Sequence, residues 1–286
     1  MRIAIASGKG GTGKTTVAVN LAAFLADNGF PVTVADCDVE EPNAHIFLQP
    51  DWQTKREETL PVPDVTPSRC LGDACRRCVE ACRYKALAMM GGQLMIFPEM
   101  CHGCGLCYEL CGPSALYVSA RVLGEIHTGP SRAEVDITLV GGLMRVGEAM
   151  SPPLIRAVKA EASDGLLQIL DCPPGTSCPV IEALQGADAA VLVTESTPFG
   201  LHDLRLAVET VRGMGIPCGV VINRDGMGDD RVDTYCAEEK LPILGRIPHS
   251  LEAASACSEG QLLYHALPAT RAQWSALWQN IRRLAA

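Results

Sequence analysis

Apolar positions along this chain fall into two patterns, short unbroken runs and helical stripes, and the two alternate. Ile3–Ala6 is a short apolar run that opens into a glycine-rich loop. From Lys14 to Asn28, Val17, Leu21, Phe24 and Leu25 share one helical face, and Gly29 ends the stretch. Pro31–Ala35 reads as a second buried strand that delivers Asp36 and Asp38 at its C-terminal end. This strand–loop–helix–strand unit then breaks off. Gln49–Pro67 is polar and proline-rich, with a charged run at Lys55–Glu58, and reads as a connector. Alternation resumes from Val135. Leu166–Leu170, Ala190–Thr194 and Cys218–Ile222 are strand candidates, and helices are expected at Pro152–Ala162, Pro179–Gln185, Leu201–Arg212 and Arg231–Glu239. The pattern predicts an α/β protein with a mostly parallel, doubly wound sheet covered by helices on both faces.

The interruption has its own character. Eight of the 14 cysteines lie between Cys70 and Cys111. Cys75, Cys78 and Cys82 recur 29 residues later as Cys104, Cys107 and Cys111, and Ala86-Leu87 recurs as Ala115-Leu116. A repeat of both cysteines and flanking apolar residues indicates a duplicated half-domain. We therefore expect a discontinuous domain, residues 1–65 and 120–286, with a small α+β domain inserted at 66–119.

Composition narrows the class. Hydrophobic residues make up 48% and charged residues 20% of 286, enough for a packed core and too apolar for disorder. A net charge of −9 opposes broad binding to nucleic acid, so none is expected as a partner. The opening MRIAIASGKG contains no secretory h-region, and no run of 18 apolar residues follows, so a cytoplasmic location is expected. Reducing conditions there disfavour disulfides, which directs the clustered cysteines towards metal.

Gly8–Thr16 reads GKGGTGKTT, so Gly8, Gly13, Lys14 and Thr15 satisfy G-x-x-x-x-G-K-[ST] between a strand and a helix. The glycines, Gly8, Gly10, Gly11 and Gly13, let backbone N–H groups converge on phosphates, with Thr12 and Thr16 in the same cradle. Lys14 is expected to reach the β- and γ-phosphates of ATP or ADP, and Thr15 to ligate Mg²⁺. Cys101-x2-Cys104-x2-Cys107-x3-Cys111 is the bacterial ferredoxin ligand run, and Cys70-x4-Cys75-x2-Cys78-x3-Cys82 is a second run with a wider first gap. The fourth cysteine of each run crosses to the other cluster, so two [4Fe–4S] clusters would take Cys70, Cys75, Cys78 and Cys111, and Cys101, Cys104, Cys107 and Cys82. Zinc is the competing metal, although its four-cysteine sites usually pair two CxxC units across a longer loop. Cys37, Cys218, Cys236 and Cys257 read as small buried hydrophobes.

Together these motifs resemble the MinD/ParA/Mrp/nitrogenase-iron-protein class of P-loop ATPases, in the form that carries an inserted ferredoxin domain. DCDVEEPNAH, GEAMSPPLI, DCPPGTS, VTESTPFGLHDL, INRDG and LGRIPHS add to the likeness. The resemblance implies that Lys9 is the extra lysine that crosses a dimer interface to the partner's nucleotide, and hence a nucleotide-sandwich homodimer. It implies that Asp38 orients the attacking water, that Asp171 holds Mg²⁺ through water, and that Asn223 reads the base. Departures are the wider Cys70–Cys75 gap, Arg83 where ferredoxins often have proline, and the absence of the C-terminal CxxC pair of cluster-assembly relatives. Cys172 and Cys178, beside the Asp171 loop, are either inert thiols or ligands of a subunit-bridging cluster.

Three functions compete on this basis. The leading expectation is an ATP-hydrolysing, nucleotide-dependent dimeric switch coupled to electron transfer or redox sensing with an unknown protein partner. The alternatives are an Mrp-like iron–sulfur cluster carrier and a MinD-like spatial organiser. Trp274, Leu277, Trp278, Ile281 and Leu284 form a C-terminal apolar stripe. Packing on the sheet is the favoured reading of that stripe, and lying on a membrane is the other.

Overall fold

The computed structural model describes residues 1–133, 136–162 and 167–285. The two positions Val135 and Leu166, used above to mark resuming alternation and a strand start, lie outside the described residues. In chain order the strands are β1 (Arg2–Ala6), β2 (Val32–Asp36), β3 (Thr54–Val65), β4 (Leu87–Met90), β5 (Gln93–Ile96), β6 (Leu116–Pro130), β7 (Ile137–Met144), β8 (Leu167–Asp171), β9 (Ala189–Glu195), β10 (Cys218–Asp225) and β11 (Ile243–Pro248). The helices are α1 (Lys14–Asp27), α2 (Ala44–Leu48), α3 (Arg77–Ala81), α4 (Leu106–Glu109), α5 (Pro152–Glu161), α6 (Cys178–Leu184), α7 (Pro198–Gly213), α8 (Arg231–Glu238), α9 (Leu251–Ser258), α10 (Leu263–Ala266) and α11 (Arg271–Leu284).

Nine strands form one sheet in the order β11-β10-β9-β1-β8-β2-β7-β6-β3. The first seven are parallel, and β6 and β3 continue the sheet antiparallel. The expected mostly parallel α/β sheet is thus present, with a cluster of buried side chains on each face. One joins Ile3, Ile5, Leu21 and Leu25 to Trp274 and Trp278. The other joins Ala4, Leu170 and Leu192 to Leu154, Val208 and Val232. The C-terminal stripe belongs to the first: Trp274, Leu277, Trp278 and Ile281 are buried, and Trp278 sits 6.3 Å from the Phe30 ring. No described helix is long and apolar enough to cross a membrane.

The sequence expectation fails at Gln49–Pro67, which is no mere connector. Its residues Thr54–Val65 form β3 and pair with β6 along their whole length. Proline cannot donate to a ladder, so a strand containing Pro61 and Pro63 is tolerable because β3 is the edge strand. The charged Lys55–Glu58 run suits such an edge, where it discourages further pairing. β6 also went unrecognised in the sequence, and it passes without a break through the expected boundary at residue 119. The cysteine segment therefore hangs from a two-stranded ribbon that is part of the main sheet. Beneath the ribbon, Leu60, Val62 and Leu123 are buried, and Cys101 and Met150 pack on them.

Candidate functional site

Register brings the chemistry to one end of the sheet. Ile5 pairs with Asp171, and Asp36 pairs with Asp171 from the other side. The phosphate loop follows β1, so Gly8–Thr16 sits over both aspartates, at the carboxyl ends of the strands where α/β sheets bind ligands.

The loop's shape depends on two glycines. Gly13 has φ 95, and a Cβ there would stand 2.3 Å from Asn223 Nδ2. At Gly8 a Cβ would stand 2.1 Å from the backbone oxygen of Asp203, so only glycine lets the loop pack on α7. Gly10 and Gly11 are exposed at the tip. Ser7 donates from Oγ to the Lys9 carbonyl at 2.5 Å, and the Gly175 N–H donates to the Ser7 carbonyl at 3.0 Å. The Asp171 loop is thereby tied to the phosphate loop.

Lys14 is buried at the start of α1, with Thr15 and Thr16 half-buried beside it. Thr12 Oγ1 and both carboxylate oxygens of Asp171 are enclosed, and none meets a partner with sound hydrogen-bond geometry. The Thr15 hydroxyl is nonetheless near enough to Asp171 to draw its pKa down, as does Lys14. Burial outweighs both and raises the Asp171 pKa to about 7. Buried polar atoms left unpaired are costly, about 1–3 kcal/mol each. A hydrated cation held between Thr15 and Asp171 relieves that cost, so the residues present fit Mg²⁺.

The two aspartates of Asp36-Cys37-Asp38 divide their work. Asp36 is fully buried, and its oxygens accept from the N–H groups of Asp38, Asn43 and Ala44 at 3.0–3.2 Å. It shapes the loop that presents Asp38. Asp38 is half-buried, and burial raises its pKa to about 6 against the pull of Lys14. Cys37 and Cys172, directly after Asp36 and Asp171, are fully buried, and burial pushes Cys172 to about 12.

Lys9 Nζ lies 3.6 Å from Glu195 Oε2, and Arg224 Nη1 lies 2.7 Å from Glu195 Oε1. Glu195, at the end of β9, was not singled out in the sequence, since its signal is spatial. Asn223 Nδ2 donates to the Thr12 carbonyl at 2.7 Å, so that nitrogen braces the loop. Beyond Gly13 and Thr16 a cleft of 370 Å³ opens, lined by Asn223, Arg224, Met227, His249, Ala253 and Cys257. Cys257 therefore departs from the expected buried hydrophobe: it is half-buried and lines this cleft. Cys218 and Cys236 are buried as expected, while Cys178 is exposed.

The eight clustered cysteines surround two cavities. Cys82, Cys101, Cys104 and Cys107 line one, and Cys70, Cys75 and Cys111 line the other. Cys78 borders both. Among the described residues, no three His, Cys, Asp or Glu side chains converge closely enough for a single metal ion. Backbone N–H groups of Gly103 and Ala115 donate to Cys101 Sγ and Cys111 Sγ at 3.4 and 3.2 Å. Burial raises the Cys107 thiol to about 11 and also raises Cys78. A bound cation would offset that cost at these two sulfurs.

Residues 3–263 match the CobQ/CobB/MinD/ParA nucleotide-binding domain family. The chain belongs to this family. It is a MinD-type P-loop ATPase. Two uncharacterised proteins of Methanocaldococcus jannaschii are 29% and 30% identical to it, covering 81% and 80% of this chain and 83% and 80% of theirs. A protein of Pyrococcus horikoshii named iron–sulfur cluster carrier protein is 26% identical over 95% of this chain and 82% of its own. The fold matches the cell division ATPase MinD of Pyrococcus furiosus with a TM-score of 0.61 at 24% identity, covering 99% of this chain and 98% of that one.

Proposed function

We propose that this ATPase handles iron–sulfur clusters, as an ATP-dependent carrier or assembly factor working as a cytoplasmic homodimer. One observation carries the reading. Two cysteine-lined cavities hang from a ribbon whose root lies against the loop presenting Asp38. The division of the eight cysteines between two cavities, with Cys78 bordering both, supports two clusters over zinc. The carrier relatives across most of the chain support the same reading. In it, residues 66–119 form the inserted domain. Cys70, Cys75, Cys78 and Cys111 hold one [4Fe–4S] cluster, and Cys82, Cys101, Cys104 and Cys107 the other. Bound clusters supply iron and sulfide for transfer, or a one-electron redox couple.

The nucleotide site has distinct tasks for its residues. Lys14 and the backbone of residues 8–16 bind the phosphates. Thr15 and Asp171 hold Mg²⁺, and Asp38 orients water at the γ-phosphate. Asn223 borders the base cleft, and Lys9 reaches the nucleotide of the partner subunit. The test is anaerobic reconstitution followed by transfer to an apo-acceptor with no nucleotide, ADP or ATP. The carrier reading expects iron and sulfide near eight each per chain and transfer that depends on ATP. Stoichiometric zinc without sulfide, or transfer indifferent to nucleotide, would sink it.

A redox role is the second reading. It is favoured because the two quartets use all eight cysteines and leave none spare for hand-over. It expects midpoint potentials that differ between ADP and a non-hydrolysed ATP analogue, with clusters retained throughout turnover.

A further inference from the structure

The internal repeat supplies its own control. The first half carries Arg69, Arg76, Arg77, Arg83 and Lys85. The matching positions in the second half are Met100, Gly105, Leu106, Gly112 and Ser114, none of them basic. Arg69 and Met100 correspond as the last residues of two proline-led turns, Pro67–Arg69 and Pro98–Met100. The backbone thus folds without the basic residues, and all five are exposed.

Arg76 is the most telling. It caps the N-terminus of α3 with φ 51, where Gly105 caps α4 with φ 78. A left-handed backbone favours glycine and penalises a residue with a side chain. Such strain marks positions where the side chain has a use. Arg76 pairs with Asp73 at 3.1 Å, while Arg69, Arg77, Arg83 and Lys85 make no ion pair among the described residues. Arg76 and Arg77 line the cavity of Cys70, Cys75, Cys78 and Cys111, and Arg69 adjoins Cys70. Leu71, 60% exposed, lines the same cavity from the extra residues of the wide Cys70–Cys75 gap. An exposed apolar residue sharing a cavity mouth with Arg76 and Arg77, of which Arg77 makes no ion pair among the described residues, has the anatomy of a protein interface, with an apolar centre and a charged rim.

We propose that the mouth of this cavity is a docking surface for an acidic protein, the recipient or donor of what the cavity holds. The second cavity has no Arg or Lys in its lining, Arg83 and Lys85 only adjoining its Cys82, Tyr84 and Ala86 in sequence, and it is held against the ribbon by Cys101 and Gly103. A compact acidic patch fits the local rim. A nucleic acid or an anionic membrane would extend onto the rest of a chain whose net charge is −9. The proposal rests on the cluster-handling reading for the identity of the cargo, and its test separates the two.

The experiment measures anisotropy of a fluorophore-labelled acidic apo-ferredoxin added to the full chain, with iron and sulfide determined on the same samples. Binding is expected to weaken about tenfold or more in Arg69→Glu/Arg77→Glu and on raising salt. Arg69→Gln/Arg77→Gln should give an intermediate loss with cluster content unchanged. The mirror variant Met100→Glu/Leu106→Glu should bind like the parent. Equal binding by all variants, insensitive to salt, overturns the proposal, as does preference for a DNA duplex or phosphatidylserine vesicles over the ferredoxin. Binding that follows the arginines in a chain lacking iron upholds the docking surface and sinks the cluster reading alone.

Discussion

The Glu40 carboxylate accepts a hydrogen bond from the Ser151 hydroxyl at 3.1 Å, joining the loop that presents Asp38 to the start of α5. Beside it, the Met144 N–H donates to the Val39 carbonyl at 2.8 Å. Met150, next to Ser151, packs on the apolar cluster that also seats Cys101. The loop that presents Asp38, proposed above to face the γ-phosphate, is therefore in contact with the root of the cysteine segment. Hydrogen exchange of residues 98–107 should differ between ADP and a non-hydrolysed ATP analogue, and Ser151→Ala should shrink that difference. An undiminished difference in Ser151→Ala would show that coupling runs elsewhere. Coupling energies of this kind are typically about 1–3 kcal/mol, and they are reciprocal.

Lys9 is held at home by Glu195. A lysine that reaches a partner's nucleotide must leave this carboxylate, so Glu195→Gln should favour dimerisation. In an Asp38→Asn background, the Mg-ATP needed for half-dimerisation should fall a few-fold, the size expected of a part-exposed ion pair of about 0.2–1 kcal/mol. Lys9→Ala should abolish dimerisation. Sedimentation velocity decides it: weaker dimerisation in Glu195→Gln would mean that the pair orients Lys9 outward.

If Asp171 holds Mg²⁺ as proposed above, Mg²⁺ and protons compete there. Its carboxyl, with a pKa of about 7, is largely protonated below that pH. Binding Mg²⁺ then releases a proton, so Mg-ADP affinity should rise with pH, by up to about tenfold per unit, and flatten above about 7. Without ligand the sign reverses for stability. The folded pKa exceeds the ordinary carboxylate value, so the native state binds the extra proton and loses stability as pH rises from about 4 to 7. Calorimetry in buffers of different ionisation enthalpy should detect the released proton, and Asp171→Asn should remove it.

Arg121 and Glu148 form a buried pair at 3.2 Å, and Arg121 also donates to the Pro98 carbonyl just before Cys101. Arg121→Met leaves Glu148 with Arg145 at 3.6 Å and the N–H groups of Ala149 and Met150, and the lost charge-assisted hydrogen bond should destabilise the chain by about 1.5–3 kcal/mol in urea unfolding. Arg121→Met/Glu148→Leu should recover part of that loss. A single variant as stable as the parent would show that Arg145 and the two backbone N–H groups suffice to hold Glu148.

Much of the fold around the phosphate loop was legible because its signals are local. The phosphate-loop glycines, the buried runs Ile3–Ala6 and Ala190–Thr194, and the helices at Lys14 and Leu201 follow from spacing alone. β3 and β6 were not legible. Prolines and charges in β3 read as a connector, and only the edge position found in three dimensions makes them strand residues. Glu195, Ser151 and Arg121 act through partners 186, 111 and 23 residues away or at similar separations, which no periodicity encodes. Trp274 and Trp278 were read correctly because two large side chains in line need a large apolar surface to bury them.

β3 and β6 run on together past the end of β7, with a bulge between Glu58 and Thr59 at the root, which makes the attachment a cantilever and no tether. Thr59–Val65 lies beyond the last β6 residue that pairs with β7. At about 3.3 Å per residue this overhang is roughly 23 Å long. A flexible linker would let the cysteine segment wander and would transmit nothing. A two-stranded ribbon is held in shape by its own ladder and is more strongly twisted than a wide sheet. Its free end therefore turns small rotations at the base into sideways travel: about 5° at the root moves the tip roughly 2 Å. Whatever the cysteine segment meets is thus met at a fixed reach from the sheet, with the sheet as base and the ribbon as arm.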